Sequence, residues 1–229
     1  ALNDSVRGVT KSLSSSSTGA ELTSAAGDDL VSFDSDGFTL GPTDQWNSYN
    51  VSGGSLVAWN WKAGTAFSND ASATGVGTVD SSGSVSADTG FSIISFLDTG
   101  GAIAHGLGVK PGLVIVKNRD TGGTDSKWPS YTDVIDGTFD YIYLNESTAK
   151  GNSGQTAFDS SVFNFSSTSG DAFIAYCFAS VDGYSKIATY TGNGSTDGAF
   201  VYTGFRPAFT LLRRTDAAAS WMMQDRVTS

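Results

Sequence analysis

Short apolar runs bounded by glycine, asparagine, aspartate or serine recur along the chain. They are rich in β-branched and aromatic side chains, and runs of this kind are typical of β-strands. No stretch of a dozen residues repeats its apolar positions with the 3.6-residue period of a helix. We therefore predict strands at GFSIISF (90–96), GLVIVKN (112–118), DYIYLN (140–145), VFNFS (162–166), FIAYCFA (173–179), KIATY (186–190), AFVYT (199–203) and AFTLLRR (208–214).

Several short strands separated by turn signals predict an all-β fold, specifically an antiparallel β-sandwich with a jelly-roll-like arrangement. The segments LVAWNW (56–61) and FIAYCF (173–178) also alternate aromatic residues with small or polar ones, and we predict a strand at each. Their aromatic residues share one face, which we expect to be a core-facing ladder. In the alternative interpretation, Trp59 and Trp61 are exposed and stack on sugar rings together with Trp46 and Tyr49.

The sequence repeats itself. Shifting it by 96 residues lays Pro111 on Pro207 and Lys117 on Arg213, and a tryptophan follows each copy. We call these copies the first A segment (89–133) and the second A segment (182–229). The phrase FDSDGFTLG followed by LVAWNW likewise resembles FDSSVFNFS followed by FIAYCF, which defines a first B segment (1–62) and a second B segment (134–179).

These copies predict two related, tandemly repeated β units. Residues 1–62 form a partial unit, 63–88 a linker rich in Gly, Ser and Thr, 89–179 a complete unit and 180–229 a second partial unit. The first B segment could complete the second A segment within one subunit, or each could pair with a neighbouring chain. We expect a homo-oligomer, and a trimer is the state that an extended β fibre favours.

Charge and composition narrow the classes of partner. The net charge is −10 and the sequence pI is about 4.3, without a run rich in Lys or Arg, which argues against a nucleic-acid partner. No apolar run approaches the roughly 18 residues of a membrane span. The opening residues ALNDSVRGVT resemble neither a signal peptide nor a native start, so we expect a processed or partial piece of a longer protein.

Candidate catalytic residues are few. With one cysteine and one histidine, the chain has no internal disulfide and no His-based metal cluster within a subunit. We expect His105 to be a turn or loop residue and Cys177 a small buried strand residue. The DSDG of residues 34–37 lacks the downstream ligands of a calcium loop and is expected to be a turn. We therefore predict a protein that is not an enzyme and has no catalytic residue, metal or cofactor; a glycan depolymerase with two groove carboxylates is the enzymatic alternative.

With these phrases assembled, the chain resembles a known family. HGLGVKPGLVIVKNRD (105–120) and VDGYSKIATYTGNGSTDGAFVYTGFRPA (181–208) are similar to repeat-containing tail-fibre-like or virion structural proteins of tailed, often marine, bacteriophages. The resemblance implies a β-rich virion protein, with no catalytic residues to carry over. We expect a tail fibre or tail appendage component that contacts other virion proteins and possesses a role in host attachment through a surface glycan. The alternatives are a capsid decoration or head fibre protein and a carbohydrate-binding, lectin-like module.

Overall fold

Residues 1–42, 50–123, 126–156 and 158–226 are described by a computed structural model, and within these ranges the chain forms short strands and one helical turn. The prediction of an all-β fold is confirmed. The strands are β1 (Lys11–Ser12), β2 (Leu22–Thr23), β3 (Leu30–Phe33), β4 (Phe38–Leu40), β5 (Thr65–Asn69), β6 (Ser81–Ser86), β7 (Phe91–Leu97), β8 (Gly101–Ala104), β9 (Leu113–Asn118), β10 (Pro129–Thr132), β11 (Asp140–Tyr143), β12 (Gly151–Asn152), β13 (Val162–Phe165), β14 (Ala172–Phe178), β15 (Phe209–Leu212) and β16 (Met222–Asp225), and the helix is α1 (Ala71–Thr74).

An antiparallel sheet of eight strands forms the centre of the fold, in the order β12-β11-β10-β9-β14-β7-β6-β5. Strand β14 lies between β9 and β7, so that Tyr176 pairs with Ile115 on one side and with Ile93 on the other. Its sequence AFIAYCF is almost continuously apolar because both faces of the sheet are covered at this strand. Cys177 lies here with no exposed surface, which confirms its prediction as a buried strand residue.

The first face of the sheet is covered by a two-stranded ribbon, in which β8 pairs with β13. Phe163 of the ribbon is fully buried and packs edge to face against Phe96 of the sheet, with 5.7 Å between the ring centroids. Phe165 lies on the same side of the ribbon and contacts Phe96 and Phe173. Every second side chain of β13 therefore points into the interior of a two-layered sandwich.

The opposite face of the sheet is covered by residues 1–24, which include the β1–β2 pair. Leu13 and Trp128 are completely buried there against Ile174 and Tyr176 of β14. The indole N–H of Trp128 donates to two carbonyl oxygens of the covering segment, at residues 14 and 17. The covering segment thus supplies both apolar contacts and hydrogen-bond acceptors to the sheet.

A buried charged network anchors the same segment. Arg7 Nε donates to Asp4 Oδ2 at 2.5 Å, and the hydroxyl of Tyr176 donates to the same oxygen at 2.6 Å. Glu21 joins the network by accepting from Arg7 Nη1 at 3.2 Å and from Arg119 Nε at 2.9 Å. Burial lowers the pKa of Arg7, but Tyr176 and Asp4 outweigh this cause and the net shift is upward. The guanidinium therefore stays charged and paired inside the fold.

Residues 63–88 are not the linker that their composition predicts. They contain α1 and the strands β5 and β6, and β6 pairs along its length with β7 of the central sheet. The turn α1 begins after Asp70, whose carboxylate accepts from the backbone N–H of Ala73, and ends at Gly75 in the left-handed conformation. Strands β5 and β6 contain many small residues, but they form because β6 pairs with β7 and β5 pairs with β6.

Three of the strands predicted from the sequence are wrong. Residues 56–61, 186–190 and 199–203 have no strand assignment and lie largely exposed. Each has a strand-like composition, but a strand needs a neighbour to satisfy its backbone groups, and the described chain offers none of them a ladder. The core-facing ladder is likewise wrong for Trp59 and Trp61, which are 41% and 46% exposed.

Part of the predicted duplication has a structural counterpart in two hairpins. Ile115 of β9 pairs with Ser130 of β10, and Leu211 of β15 pairs with Met223 of β16. These pairs lie at matching positions of the two A segments, offset by 96 residues on the first strand and by 93 on the second, the offset that also relates Trp128 to Trp221. No helix in the described ranges is long and apolar enough to cross a membrane.

Candidate functional site: the aromatic surface and the duplicated cation–tryptophan contacts

The aromatic surface consists of Trp59, Trp61, Phe178 and Phe209. Trp61 lies edge-on to Phe178 and to Phe209, with centroid distances of 6.3 and 6.1 Å, and Trp59 lies 6.0 Å from Phe209. The two indoles come from the unpaired segment 56–61, whereas Phe209 begins β15. The exposed part of each indole is an apolar ring surface on which a sugar ring can stack.

The structure describes two of the four residues that the sequence predicts to bind sugar. Trp59 and Trp61 are brought together beside Phe209, which sequence reasoning did not single out. Trp46 and Tyr49 lie outside the described residues. The assignment of these four residues to sugar binding therefore stays a prediction. The strand alternation that placed both indoles on one face was the signal that pointed to the surface.

A second recurrent feature is a cation held against a tryptophan. Lys117 Nζ lies 6.0 Å from the ring centroid of Trp128, and the Arg213 guanidinium lies 5.6 Å from that of Trp221. Lys117 and Arg213 are the cations that the 96-residue shift aligns. Lys117 is the second-to-last residue of β9, and Arg213 directly follows β15. The hairpin therefore places each cation close to its tryptophan.

Each cation also donates hydrogen bonds to a loop of the preceding B segment. Lys117 Nζ donates to the carbonyl of Thr18 at 3.3 Å, and Arg213 donates to the carbonyls of Glu146 and Thr148 at 2.8 and 2.6 Å. The indole N–H of Trp221 donates to the carbonyl of residue 143, as that of Trp128 does to residues 14 and 17. The two loops, residues 14–21 and 143–150, thus dock in the same manner.

The backbone repeats this docking contact at matching positions. The N–H of Glu21 donates to the carbonyl of Arg119 at 2.8 Å, and the N–H of Lys150 donates to the carbonyl of Thr215 at 2.9 Å. Arg119 and Thr215 are again 96 residues apart. Each A segment therefore receives the loop of the B segment that precedes it, and we call this arrangement the docking contact.

Lys117 has an unusual environment for a cation. Its side chain is fully buried, and burial lowers its pKa from 10.5 to about 8. The carbonyl of Ser126 accepts from Nζ at 2.8 Å and partly replaces water. No acidic group is an ion-pair partner of Lys117 within the described ranges. Carbonyl dipoles and the Trp128 ring therefore stabilise its charged form.

We expect Lys117 to make stability depend on pH. Below about pH 8 the amine is charged in both folded and unfolded chains and the burial penalty is fully present; it disappears as the pH rises toward 10.5. The free energy of unfolding of the wild type should therefore rise, relative to that of Lys117→Met, between about pH 8 and about pH 10. Urea titrations of both proteins across this range check the difference. Parallel curves for the two proteins would show that Lys117 does not titrate in this window.

His105 lies in the loop after β8, as predicted, and has no exposed surface. Its Nδ1 accepts from the N–H of Leu107 at 3.2 Å, and its Nε2 lies 3.3 Å from the carbonyl oxygen of Asp159. Burial lowers the pKa of the imidazole, which favours the neutral form. The ring therefore acts as a hydrogen-bonding element of the core and does not reach the surface where a substrate would bind.

Two shallow grooves lie elsewhere on the surface. One, of about 430 Å³, runs between residues 5–6 and strands β5 and β6 and is lined by serine, glycine, alanine, valine and phenylalanine. The other, of about 270 Å³, contains Lys110 in an ion pair with Asp133. Neither groove is lined by two carboxylates. Within the described ranges, no three His, Cys, Asp or Glu side chains are placed to share a metal ion.

The DSDG of residues 34–37 forms the turn of the β3–β4 hairpin, where the N–H of Asp34 donates to the carbonyl of Gly37. The Asp34 carboxylate forms side-chain hydrogen bonds with Ser32 and with Thr39, and these bonds lower its pKa. The aspartate thus stabilises its own turn, as the sequence predicts.

These features define an all-β protein in which successive β segments dock on one another through a repeated contact. The chain belongs to the DUF7483 family, described as a domain of unknown function, whose family model matches residues 1–229. No curated protein and no solved structure matches the chain.

Proposed function

We propose that this chain is a structural component of a bacteriophage particle, a tail fibre or other tail appendage with a role in host attachment. The docking contact carries the proposal. Because the same loop-to-hairpin contact is made by Glu21 with Arg119 and by Lys150 with Thr215, the chain is built to place β modules one after another. Linear stacking of modules suits an elongated appendage.

The chemistry of the surface supports a non-enzymatic, binding role. Serine, threonine and glycine take the place of charge over much of the chain, and the net charge of −10 favours a soluble particle surface. The one histidine is enclosed, and the two surface grooves described above lack a pair of carboxylates. These features support a scaffold whose function lies in contacts with other virion proteins and with the host surface.

Immunogold electron microscopy of the phage particles that encode this chain tests the proposal. Antibodies raised against the purified chain should label intact particles, and we expect the gold at the tail or its fibres. Labelling confined to the head would replace the tail assignment with a capsid decoration or head fibre. If intact particles carry no label and denatured particles contain no band of this protein, the virion role is overturned.

A carbohydrate-binding module is the second candidate, and the exposure of Trp59 and Trp61 favours it. If the aromatic surface binds sugar, Trp59→Ala should abolish a glycan-array signal at unchanged melting temperature, because it removes an exposed ring on which the sugar would stack. Tyr184→Ala, an exposed aromatic outside this surface, is the matched control and should keep the signal. Equal binding by both variants would reject the site.

A further inference from the structure

Two parts of the chain expose apolar side chains and belong to no strand within the described ranges. The first is residues 56–61, whose Leu56 and Val57 are well exposed. The second is the stretch from 184 to 203, where Phe200 is 91% exposed. Exposed runs of this kind with strand-like composition are liable to pair with another chain.

The complete unit shows what occupies the corresponding positions. In that unit β14 of the second B segment inserts between β7 and β9 of the first A segment. Residues 56–61 correspond to residues 173–178 of β14, residues 184–190 correspond to β7, and β15 corresponds to β9. The second A segment therefore has a vacant central strand position, and residues 56–61 have the composition of the strand that would fill it.

The register of the complete unit predicts specific new pairs. Phe178 of β14 lies opposite Leu113 of β9, so Trp61 should lie opposite Phe209. In the ribbon, Phe163 lies opposite Ile103. The repeated FDS phrase relates Phe163 to Phe38, and aligning GAI (101–103) with GAF (198–200), an offset of 97 residues, relates Ile103 to Phe200. All four predicted partners are aromatic. Phe38 and Phe200, both exposed in the single chain, would thus cover each other.

The contact between Trp61 and Phe209 already exists within one chain, at 6.1 Å between centroids. However, no strand ladder joins residues 56–61 to β15, and Phe200 remains open to solvent. The single chain therefore brings the matching side chains together without filling the vacant strand position.

We propose that the first B segment of one copy of this chain completes the second A segment of another copy. Residues 56–61 insert as the central strand between residues 184–190 and β15 of the second copy, and β4 pairs with residues 199–203. Each copy carries one first B segment to give and one second A segment to receive it, so a copy that gives to one neighbour can receive from another, and the association continues head-to-tail. This inference goes beyond the proposed function, since it holds wherever the protein is located.

The docking contact continues through such an assembly. Within each copy, the loop 143–150 already docks on the second A segment and the loop 14–21 on the first. A unit shared between two copies would therefore be joined to the complete unit on either side by the same contact. The result is a row of alternating complete and shared units, with each neighbour related in the same way.

A disulfide between paired positions tests the inference. Cys177 of β14 lies opposite Val114 of β9, so Asn60 and Thr210 should face each other in the shared unit. Opposed residues of antiparallel strands are close enough for a disulfide. The variant Asn60→Cys/Thr210→Cys should form a ladder of covalent multimers on a non-reducing gel after mild oxidation. A cross-linked monomer would show closure within one chain, and unlinked folded chains would show no pairing; either result overturns the proposal.

Single variants provide matched controls. Asn60→Cys mixed with Thr210→Cys should give a covalent dimer and nothing larger, whereas either variant alone should remain uncross-linked. The native Cys177 thiol is buried, and burial raises its pKa to about 12, so it does not compete. The wild type gives an independent readout: its sedimentation mass should rise above 23.7 kDa with concentration, and a constant 23.7 kDa would also overturn the inference.

Discussion

Phe163→Ala is expected to lower the free energy of unfolding by about 3–5 kcal/mol, because it removes a fully buried ring from the interface between the ribbon and the central sheet. The ring packs against Phe96, so its removal leaves a cavity that neighbouring side chains fill only in part. Urea-induced unfolding followed by intrinsic fluorescence measures the change.

The sequence offers a matched control at Phe38, the position that corresponds to Phe163 in the first B segment. This ring is 41% exposed, so Phe38→Ala should change stability by less than about 1 kcal/mol in dilute monomer. Similar costs for the two substitutions would mean that the ribbon and the sheet do not form the sandwich described above.

Asp4→Ala should cost about 3–5 kcal/mol, because it leaves the buried guanidinium of Arg7 without its main partner. The substitution also removes the acceptor of the Tyr176 hydroxyl. Burial is the largest cause that raises the pKa of Tyr176 well above its usual value, so the phenol stays neutral and does not compensate for the lost charge. Thermal and urea unfolding at neutral pH measure the loss.

Asp216→Ala is the control for this experiment. It breaks an ion pair with Arg214 that is open to solvent on both sides, and we expect no measurable change in stability. An Asp4→Ala protein as stable as the Asp216→Ala protein would show that residues 1–24 do not depend on the buried network for their position.

The strands that form the middle of the sheet could be predicted from sequence because their apolar runs match their burial. Strands β7, β9 and β14 are covered on both faces, and their sequences consist largely of Ile, Val, Phe and Tyr. Strands β5 and β6, with TAFSN and SSGSVS, carry no such signal. They form because β7 presents a free edge, and this depends on tertiary pairing that local sequence does not encode.

The reverse error occurred at residues 56–61 and 199–203, where strong strand composition is not matched by a strand. Composition reports what a segment can pair with, whereas pairing requires a partner in space. The candidate site shows the same division. Alternation placed Trp59 and Trp61 on one face, but their contact with Phe209 joins positions about 150 residues apart and could not be read from either segment alone.

The hydrogen bond from Tyr176 to Asp4 spans 172 positions of the chain. At ordinary rates of translation, roughly 10 to 30 s separate the emergence of these two residues from the ribosome. Arg7 finds Asp4, Glu21 and the carbonyl of Leu2 within its own segment, but Asp4 gains the Tyr176 hydroxyl only when β14 is complete. During biosynthesis residues 1–24 are therefore made well before the strand on which they pack, and a chaperone that retains them would hold the protein one step short of its final structure.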